Sequence, residues 1–466
     1  MSSTETSLKF GTSGLRGLVT DLAGQPARRY VAAFLQHLRQ CGAVGRGRVL
    51  IGYDLRPSSP SIARDCVAAV VAAGLEPVDC GAVPTPALAL TALEEGAAAV
   101  MVTGSHIPAD RNGLKFYTPA GEISKVDEAG ILAALTDAPV PDAGVPASGH
   151  YDETVDQYRQ RSLRILPRGA LAGVRLGVFQ HSTVSRDLMV EVLEGLGATV
   201  VPLGRSATFV PVDTEAFGDA VFAPLAGWIS EHRLDAMVSA DGDGDRPLLV
   251  DGEGGFVRGD VLGLLAARFL AAGAVVTPVT SNSAIERTGF FDTVVRTRVG
   301  SPYVVAGMAG LNNVVGFEAN GGTFVGDGVQ GGRLPPLPTR DALLPLLAAL
   351  GLATREGATI RQLVAALPLQ HALADRLTNV PQEQSAAFLE RLETDAGYAG
   401  ELFRSHGIAS LSTIDGLQFR TNAGDMVHFR ASGNAPELRC YVEGSTPKAA
   451  EKLLRWAMSV AANAVR

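Results

Sequence analysis

Apolar runs rich in Val, Ile and Ala alternate with stretches of helical period along almost the whole chain. RVLIGY at 48–53 reads as a buried strand. SIARDCVAAVVAA at 61–73 has the spacing of a helix and stops at Gly74. Strands then follow at 77–80 and 97–102, the latter running straight into a polar loop. The same rhythm restarts with a strand at 174–179, a helix near 186–196 closed by Gly197, and strands at 198–203 and 234–240. A third round runs from a helix at 260–272 through strands at 274–279 and 312–318 to a helix at 340–350, with LPPLP at 334–338 as a loop before it. Such βαβ alternation implies largely parallel sheets flanked by helices, with function at the strand C-termini. Three blocks of similar length look like diverged copies of one unit, without a strict sequence period. TDAPVPDAGVPASG at 136–149 reads as a linker. From about 370 the pattern changes: a helix at 381–396, short strands around 417–430 and 438–443, and a closing helix at 447–464 predict a smaller α+β piece.

Composition narrows the class. At roughly 150 residues per domain, 466 residues suggest several domains. With 46% hydrophobic and 19% charged residues the chain can fill several cores, which excludes wholesale disorder. A formal charge of −8 supplies no bulk cationic field for nucleic acid or an anionic membrane. Cys41, Cys66, Cys80 and Cys440 share no CxxC spacing and read as reduced, mostly buried thiols. MSSTETSLKF has no apolar leader segment, and no run of about 18 apolar residues occurs. A soluble, cytoplasmic protein is expected. Glycine stands out at 53 residues, several of them clustered with Ser, Arg, Lys and Asp, the surroundings typical of phosphate and metal sites.

Five segments carry candidate chemistry. In VTGSHIPADRNGLKFY (102–117), Gly104 allows a sharp turn that presents Ser105 beside His106, with Lys115 ten positions on; a nucleophilic serine and a capping serine in a polar loop are both open readings. DGDGDR (241–246) follows a strand, and its three carboxylates repel one another unless a cation sits among them. An EF-hand fails there because Arg246 and Gly252 occupy its Gly and Glu positions. A solvated acidic turn remains open beside a divalent-ion site with a phosphoryl group next to it, which Arg246 would also hold. RASGNAPELR (430–439) is either an anion-binding nest or an ordinary hairpin turn. GFEANGG (316–322) offers Glu318 and Asn320 to vicinal sugar hydroxyls, though Asn-Gly is first of all a turn. KFGTSGLRG (9–17) is Gly-rich and carries Arg16, but no GxxxxGK[ST] occurs and ATP is not implied.

In this order the segments resemble those of the α-D-phosphohexomutase family. KFGTSGLRG is similar to its N-terminal loop, TGSHIP to its phosphoserine loop, DGDGDR to its metal loop, GFEANGG to its sugar loop and RASGNAPELR to its phosphate loop. The combination looks most like the bacterial phosphomannomutase/phosphoglucomutase members. The resemblance implies an α/β fold: three similar α/β domains with mixed, largely parallel sheets plus a smaller C-terminal α+β domain around a central cleft, which that last domain hinges to close. The corresponding segments are 1–149, 150–254, 255–369 and 370–466. It also implies interconversion of hexose 1-phosphate and hexose 6-phosphate, mannose favoured and glucose possible, through a phosphoserine at Ser105 and a hexose 1,6-bisphosphate. Mg²⁺ would be held by Ser105, Asp241, Asp243 and Asp245. Arg16, His106, Lys115 and Arg246 would be catalytic, and Glu318, Asn320, Arg430, Ser432, Gly433, Asn434 and Arg439 would bind substrate. The partner is then a small sugar phosphate, with neither nucleic acid nor membrane.

Two departures from the family pattern stand out. Ile107 replaces a frequent Asn, and Gly321–Gly322 replace the stretch where the sugar loop often ends in a His. Proton transfer would then fall to His106 or Lys115. Rival readings are a phosphoglucosamine mutase, a phosphatase with an aspartyl nucleophile, and a non-catalytic sugar-phosphate or Ca²⁺ binder. The phosphatase motif DxDx[TV] meets Asp245 at its last position.

Overall fold

A computed structural model describes residues 6–11, 13–142, 148–149, 151–433 and 436–465. Residues 143–147 of the expected linker and Asn434 of the phosphate loop lie outside the described residues. The chain divides into two compact units, one of Met1–Val276 with Gly300–Ala366, the other of Thr277–Val299 with Leu367–Arg466.

In the first unit, Arg48–Tyr53 lies between parallel neighbours Glu76–Ala82 and Ala98–Val102, and Arg111–Thr118 runs antiparallel beside the last of these. Successive strand side chains face opposite ways, so Val49 and Ile51 pack with helices Gln25–Gln40 and Ser59–Ala72, while Leu50 joins the core under Thr85–Glu95. A strand buried on both faces reads as an unbroken apolar run, which is how 48–53 was legible. Leu15–Leu18 pairs with the far edge of Arg111–Thr118 and brings the N-terminal Gly-rich loop to this sheet.

The arrangement recurs. Arg175–Phe179 has parallel neighbours Thr199–Leu203 and Ala236–Ala240, and Pro247–Asp251 turns back antiparallel. In the third sheet Ala274–Pro278 is parallel to Val314–Phe317, and Thr323–Val325 turns back antiparallel. Each sheet therefore has a last parallel strand joined to an antiparallel return by a short loop. Those three loops contain Ser105, the Asp241–Arg246 run and Glu318. The copies inferred from the rhythm of the chain share this one feature where the chemistry sits.

Several boundaries differ from the sequence reading. Residues 337–341 form a strand, Leu337–Asp341, rather than the end of a loop and the start of a helix; the helix runs Leu343–Glu356. Pairing with Thr323–Val325 holds the strand, a long-range gain that local propensity does not contain. The helix expected at 381–396 is two helices, Gln382–Thr394 and Ala396–Leu402, broken where the Asp395 side chain caps the second by accepting from Tyr398 N.

In the second unit the described residues include a five-stranded antiparallel sheet. Its order is His371–Thr378, Glu437–Gly444, Met426–Ala431, Leu417–Arg420, Ser410–Ser412. His371–Thr378 was not anticipated: it is an exposed edge strand of mixed polarity, specified by its partner more than by its own pattern. Pro447–Ala464 and the two broken helices share a core with the inner strands, including Phe388, Phe419, Phe429 and Leu453. Cys66, Cys80 and Cys440 are buried, and all four thiols are free. Among the described residues no helix is long and apolar enough to cross a membrane.

Two glycines in helices of the first unit predict opposite outcomes. A Cβ on Gly263 would lie 2.3 Å from Cγ of buried Phe317, the residue before Glu318, whereas one on Gly227 would meet nothing within 4 Å. Gly263→Ala should destabilise by about 1–3 kcal/mol, and Gly227→Ala should stabilise by up to about 1 kcal/mol. Thermal unfolding midpoints of the full chain should therefore move in opposite directions.

Candidate active site

Ser105 occupies the left-handed region, with φ 54°, in the loop between Ala98–Val102 and Arg111–Thr118. A serine there is held against a local cost of about 1–3 kcal/mol, and a buried arginine supplies the hold. Arg56, 1% exposed, donates to the carbonyls of Ser105 (3.0 Å), Ile107 (2.5 Å), Pro108 (2.7 Å) and Arg111 (3.0 Å), and its Nε reaches Asp54 at 3.1 Å. Thr103 Oγ1 donates to Asp54 and accepts from Ser105 N, each at 2.7 Å. A Cβ on Gly104 would lie 2.6 Å from Arg56 Cζ, so this glycine is required by the close passage of the guanidinium. Asp54 and Arg56 were not singled out in the sequence; the fragment YDLRP follows a strand end, which was the available signal.

The Ser105 hydroxyl donates to Asp241 Oδ2, and its Oγ lies 3.3 Å from His106 Nδ1. Asp241, Asp243 and Asp245 are buried, and one oxygen from each lies within 4.8 Å of the others. Lys115 Nζ bridges Asp243 Oδ2, at 2.6 Å, and Asp245 Oδ2. Thr85 Oγ1 donates to Asp243 Oδ2 at 2.6 Å. Asp241 Oδ1 accepts the backbone N–H groups of Asp245 and Arg246, both at 3.1 Å. The turn is thus built around its own first carboxylate. Asp243 Oδ1 and Asp245 Oδ1 are buried without a hydrogen-bond partner. Unpartnered buried carboxylate oxygens in an oxygen-only donor set fit a hard divalent cation such as Mg²⁺.

The fields here are strong. Burial, then the neighbouring Asp243 and Asp245, push the Asp241 carboxyl well above its ordinary range. Burial also pushes Asp245 upward, but Arg340, Lys115 and Arg246 overcome it and hold that carboxyl low. Burial, with Arg246 and Arg16 nearby, lowers His106 well below its usual value, which leaves a neutral imidazole at neutral pH.

Arg340 was missed in the sequence. It lies at the end of an unpredicted strand and joins three loops: Nε and Nη2 reach Asp245 Oδ2 at 3.0 and 2.9 Å, Nη1 reaches Glu318 Oε2 at 3.1 Å, and Nη2 reaches Ser13 Oγ at 3.1 Å. Its stem also explains Gly322, where a Cβ would lie 2.4 Å from Arg340 Cδ, while Gly321 takes φ 87° with Pro247 Cγ 2.7 Å from where a Cβ would be. Asn320 turns its side-chain carbonyl to Gly322 N at 2.9 Å, closing its own loop. Arg16 and Arg246 complete a cationic group. Burial, then Arg246 and Arg340, bring Arg16 down to about 10. Arg16 Nη2 and Arg246 Nε are buried without hydrogen-bond partners, while Arg246 Nη1 lies 3.6 Å from Glu215. Such N–H groups are complementary to a phosphate.

Ser105, His106, Lys115 and the three aspartates thus form one cluster, with Arg16, Arg246, Glu318 and Arg340 tied to it by ion pairs and fields. In the second unit, Arg430 and Arg439 are direct cross-strand partners, and Arg439 is also opposite Arg376. Arg430 Nε pairs with Asp415 at 2.7 Å, Arg439 with Glu437 at 3.1 Å, and Ser432 N donates to Glu437 O at 2.9 Å; Gly433 is exposed at the turn. Three guanidinium groups thus lie in register across three strands, and Arg376 Nη1 shares Glu437 at 3.6 Å. Arg376 was missed because its strand was missed.

Comparison with known proteins shows the family. The family described as phosphoglucomutase/phosphomannomutase, alpha/beta/alpha domain I, matches residues 7–139, and its alpha/beta/alpha domain III matches residues 258–370. A phosphomannomutase of Sinorhizobium fredii is 48% identical, covering 97% of this chain and 98% of that one. A phosphomannomutase of Salmonella muenchen is 40% identical, covering 97% and 95%. A phosphoglucosamine mutase of Paracoccus denitrificans is 30% identical, covering 93% and 94%. The fold is also that of a solved phosphoglucomutase/phosphomannomutase family protein from Burkholderia thailandensis, with a TM-score of 0.79 at 21% identity over 97% of each chain.

The planar guanidinium of Arg56 spans four carbonyls that a lysine ammonium does not span together. Arg56→Lys should therefore cost about 3 kcal/mol or more, read as a lower thermal unfolding midpoint. An unchanged midpoint would show that the serine loop does not depend on that fork.

Proposed function

This chain belongs to the phosphoglucomutase/phosphomannomutase family, and from that premise we propose that it interconverts hexose 1-phosphate and hexose 6-phosphate with Ser105 as the phosphoryl carrier. One observation carries the reading: a serine hydroxyl in a left-handed turn donates to the first of three clustered, buried carboxylates. The greater similarity of the phosphomannomutase relatives, compared with the phosphoglucosamine mutase, favours mannose as the sugar.

Each half-reaction is a balanced exchange. The oxygen–phosphorus bond at Ser105 breaks as a sugar hydroxyl oxygen bonds to phosphorus, and the hydroxyl proton passes to a base. His106, neutral and half-buried beside the serine oxygen, is suited to that proton. Lys115 is engaged by two carboxylates and is better suited to balancing their charge. The product is a hexose 1,6-bisphosphate, which returns its other phosphate to Ser105 after reorienting. A Mg²⁺ held by Asp241, Asp243, Asp245 and Ser105 would neutralise charge on the transferring phosphoryl. Arg16 and Arg246 offer N–H groups to the same oxygens.

Glu318 is the group suited to the ring hydroxyls, and Arg340 positions it. Where relatives often carry a His after this loop, Gly322 leaves room for the Arg340 stem and Gly321, at φ 87°, passes close to Pro247. The loss of that His is thus matched by a buried cation from the neighbouring strand. Arg430, Ser432, Gly433 and Arg439, with Asn434 outside the described residues and Arg376 added, are proposed to bind the phosphate that is not reacting.

Ser105→Ala should lower mutase turnover on mannose 1-phosphate on the order of 10³-fold or more with the fold intact. Intact mass should show a phosphate adduct on the wild type that the variant lacks. Full turnover in the variant would move the carrier elsewhere, and steady phosphate release in place of isomerisation would favour the phosphatase. Removal of divalent ions should abolish turnover and Mg²⁺ should restore it. Asp243→Asn should demand more Mg²⁺ for the same rate, and an identical Mg²⁺ dependence would remove Asp243 from the site.

A further inference from the structure

A cavity in the first unit, of about 660 Å³, shares no lining residue with the cluster around Ser105. Its walls come from helices Thr85–Glu95 and Tyr151–Leu163, the chain just after the latter, and the loop at 330–335. The feature that sets it apart is Arg161. This side chain lines the cavity, is 6% exposed, and has Nε and Nη2 buried without a hydrogen-bond partner. Asp341 and Glu94 act on it only through their fields. Asp341 is already used, accepting from the Tyr158 hydroxyl at 2.5 Å and from Leu344 N at 3.1 Å. Leaving a buried charged donor unsatisfied is costly, and proteins seldom do so without a partner for it.

The rest of the wall says what such a partner would look like. Arg164 and Arg333 bring two further guanidinium groups to the same cavity. Of the carboxylates, Asp156 is ion-paired with Arg159, so the three cations outweigh Glu94. Leu90, Ile165, Leu166, Leu270 and Leu334 supply an apolar wall, and Gln160 and Glu94 offer polar groups at its edge. Cations alone would suit any anion. Cations beside an apolar wall with hydrogen-bonding groups suit an anion carried on a ring that bears hydroxyl or amino groups.

We propose that this cavity is a second ligand site, separate from the reacting centre, which binds a phosphate ester carried on a ring through Arg161, Arg164 and Arg333. Two sources share that chemistry, a hexose phosphate and a nucleoside diphosphate. Arg161 and Arg164 lie at the end of helix Tyr151–Leu163 and Arg333 in the loop at 330–335, so occupancy would tie these two segments together.

Amide hydrogen exchange on the full chain tests this, with a hexose 6-phosphate, a nucleoside diphosphate and inorganic phosphate as separate probes. One of the two ring-bearing probes should slow exchange in both the Tyr151–Leu163 helix and the 330–335 loop, and the probe that does so identifies the source. The exposed pair Arg164→Ala with Arg333→Ala should weaken that protection about tenfold or more while mutase turnover at low substrate persists. Arg161→Gln should weaken it similarly. No protection in either segment from any probe, or equal affinity in the double variant, would overturn the proposal. Equal protection by inorganic phosphate would also overturn it, as the mark of an adventitious ion only.

Discussion

Three carboxylates are buried within one turn, and cations from two other sheets keep them there. Asp241, Asp243 and Asp245 repel one another, and burial strengthens the repulsion. The structure answers with Lys115 from the first sheet and Arg340 from the third, each reaching the carboxylates of the second. Each cation joins two sheets through an ion pair made deep in the protein, where losing one partner would leave the other charge exposed to a poor solvent. The same charges that make the turn suited to a metal ion and a phosphoryl group therefore hold the sheets around it.

The serine loop follows a related logic with a neutral backbone. Arg56 spends its guanidinium on main-chain carbonyls, with Asp54 beside it, so the loop's shape is set by a buried fork rather than by its own turn propensity. That arrangement lets Ser105 stay in an unfavourable backbone region with its hydroxyl turned to Asp241. A hydroxyl held in this way keeps one orientation without help from a ligand, which is how a fold pre-organises a polar group.

Repetition of one strand arrangement explains why the chemistry converges. In each of three sheets the last parallel strand is followed by a short loop and an antiparallel return, and that loop carries Ser105, the carboxylates or Glu318. The loops differ in chemistry while their place in the sheet is the same. The glycines around them are dictated by close neighbours: Gly104 by Arg56, Gly322 by Arg340, and Gly259 by the Asn320 main chain, 2.3 Å from where a Cβ would be.

Much of this was legible in the chain alone. Strands buried on both faces announce themselves as apolar runs, and carboxylates at alternate positions in DGDGDR announce mutual repulsion, because both signals are local. Ser105, the three aspartates, Lys115 and Glu318 were found that way. Arg340 and Arg376 were not, since nothing within a few residues of each marks it, and Asp54 and Arg56 had only their place after a strand end to mark them. Arg340 and Arg376 sit on strands that form only through distant pairing, and Arg56 matters only because the serine loop passes over it. Local order in the chain determined which chemical groups the protein carries and the kind of elements that bear them. Only tertiary structure decided which cations would neutralise which carboxylates, because an ion pair across sheets depends on burial and distance that no sequence spacing encodes.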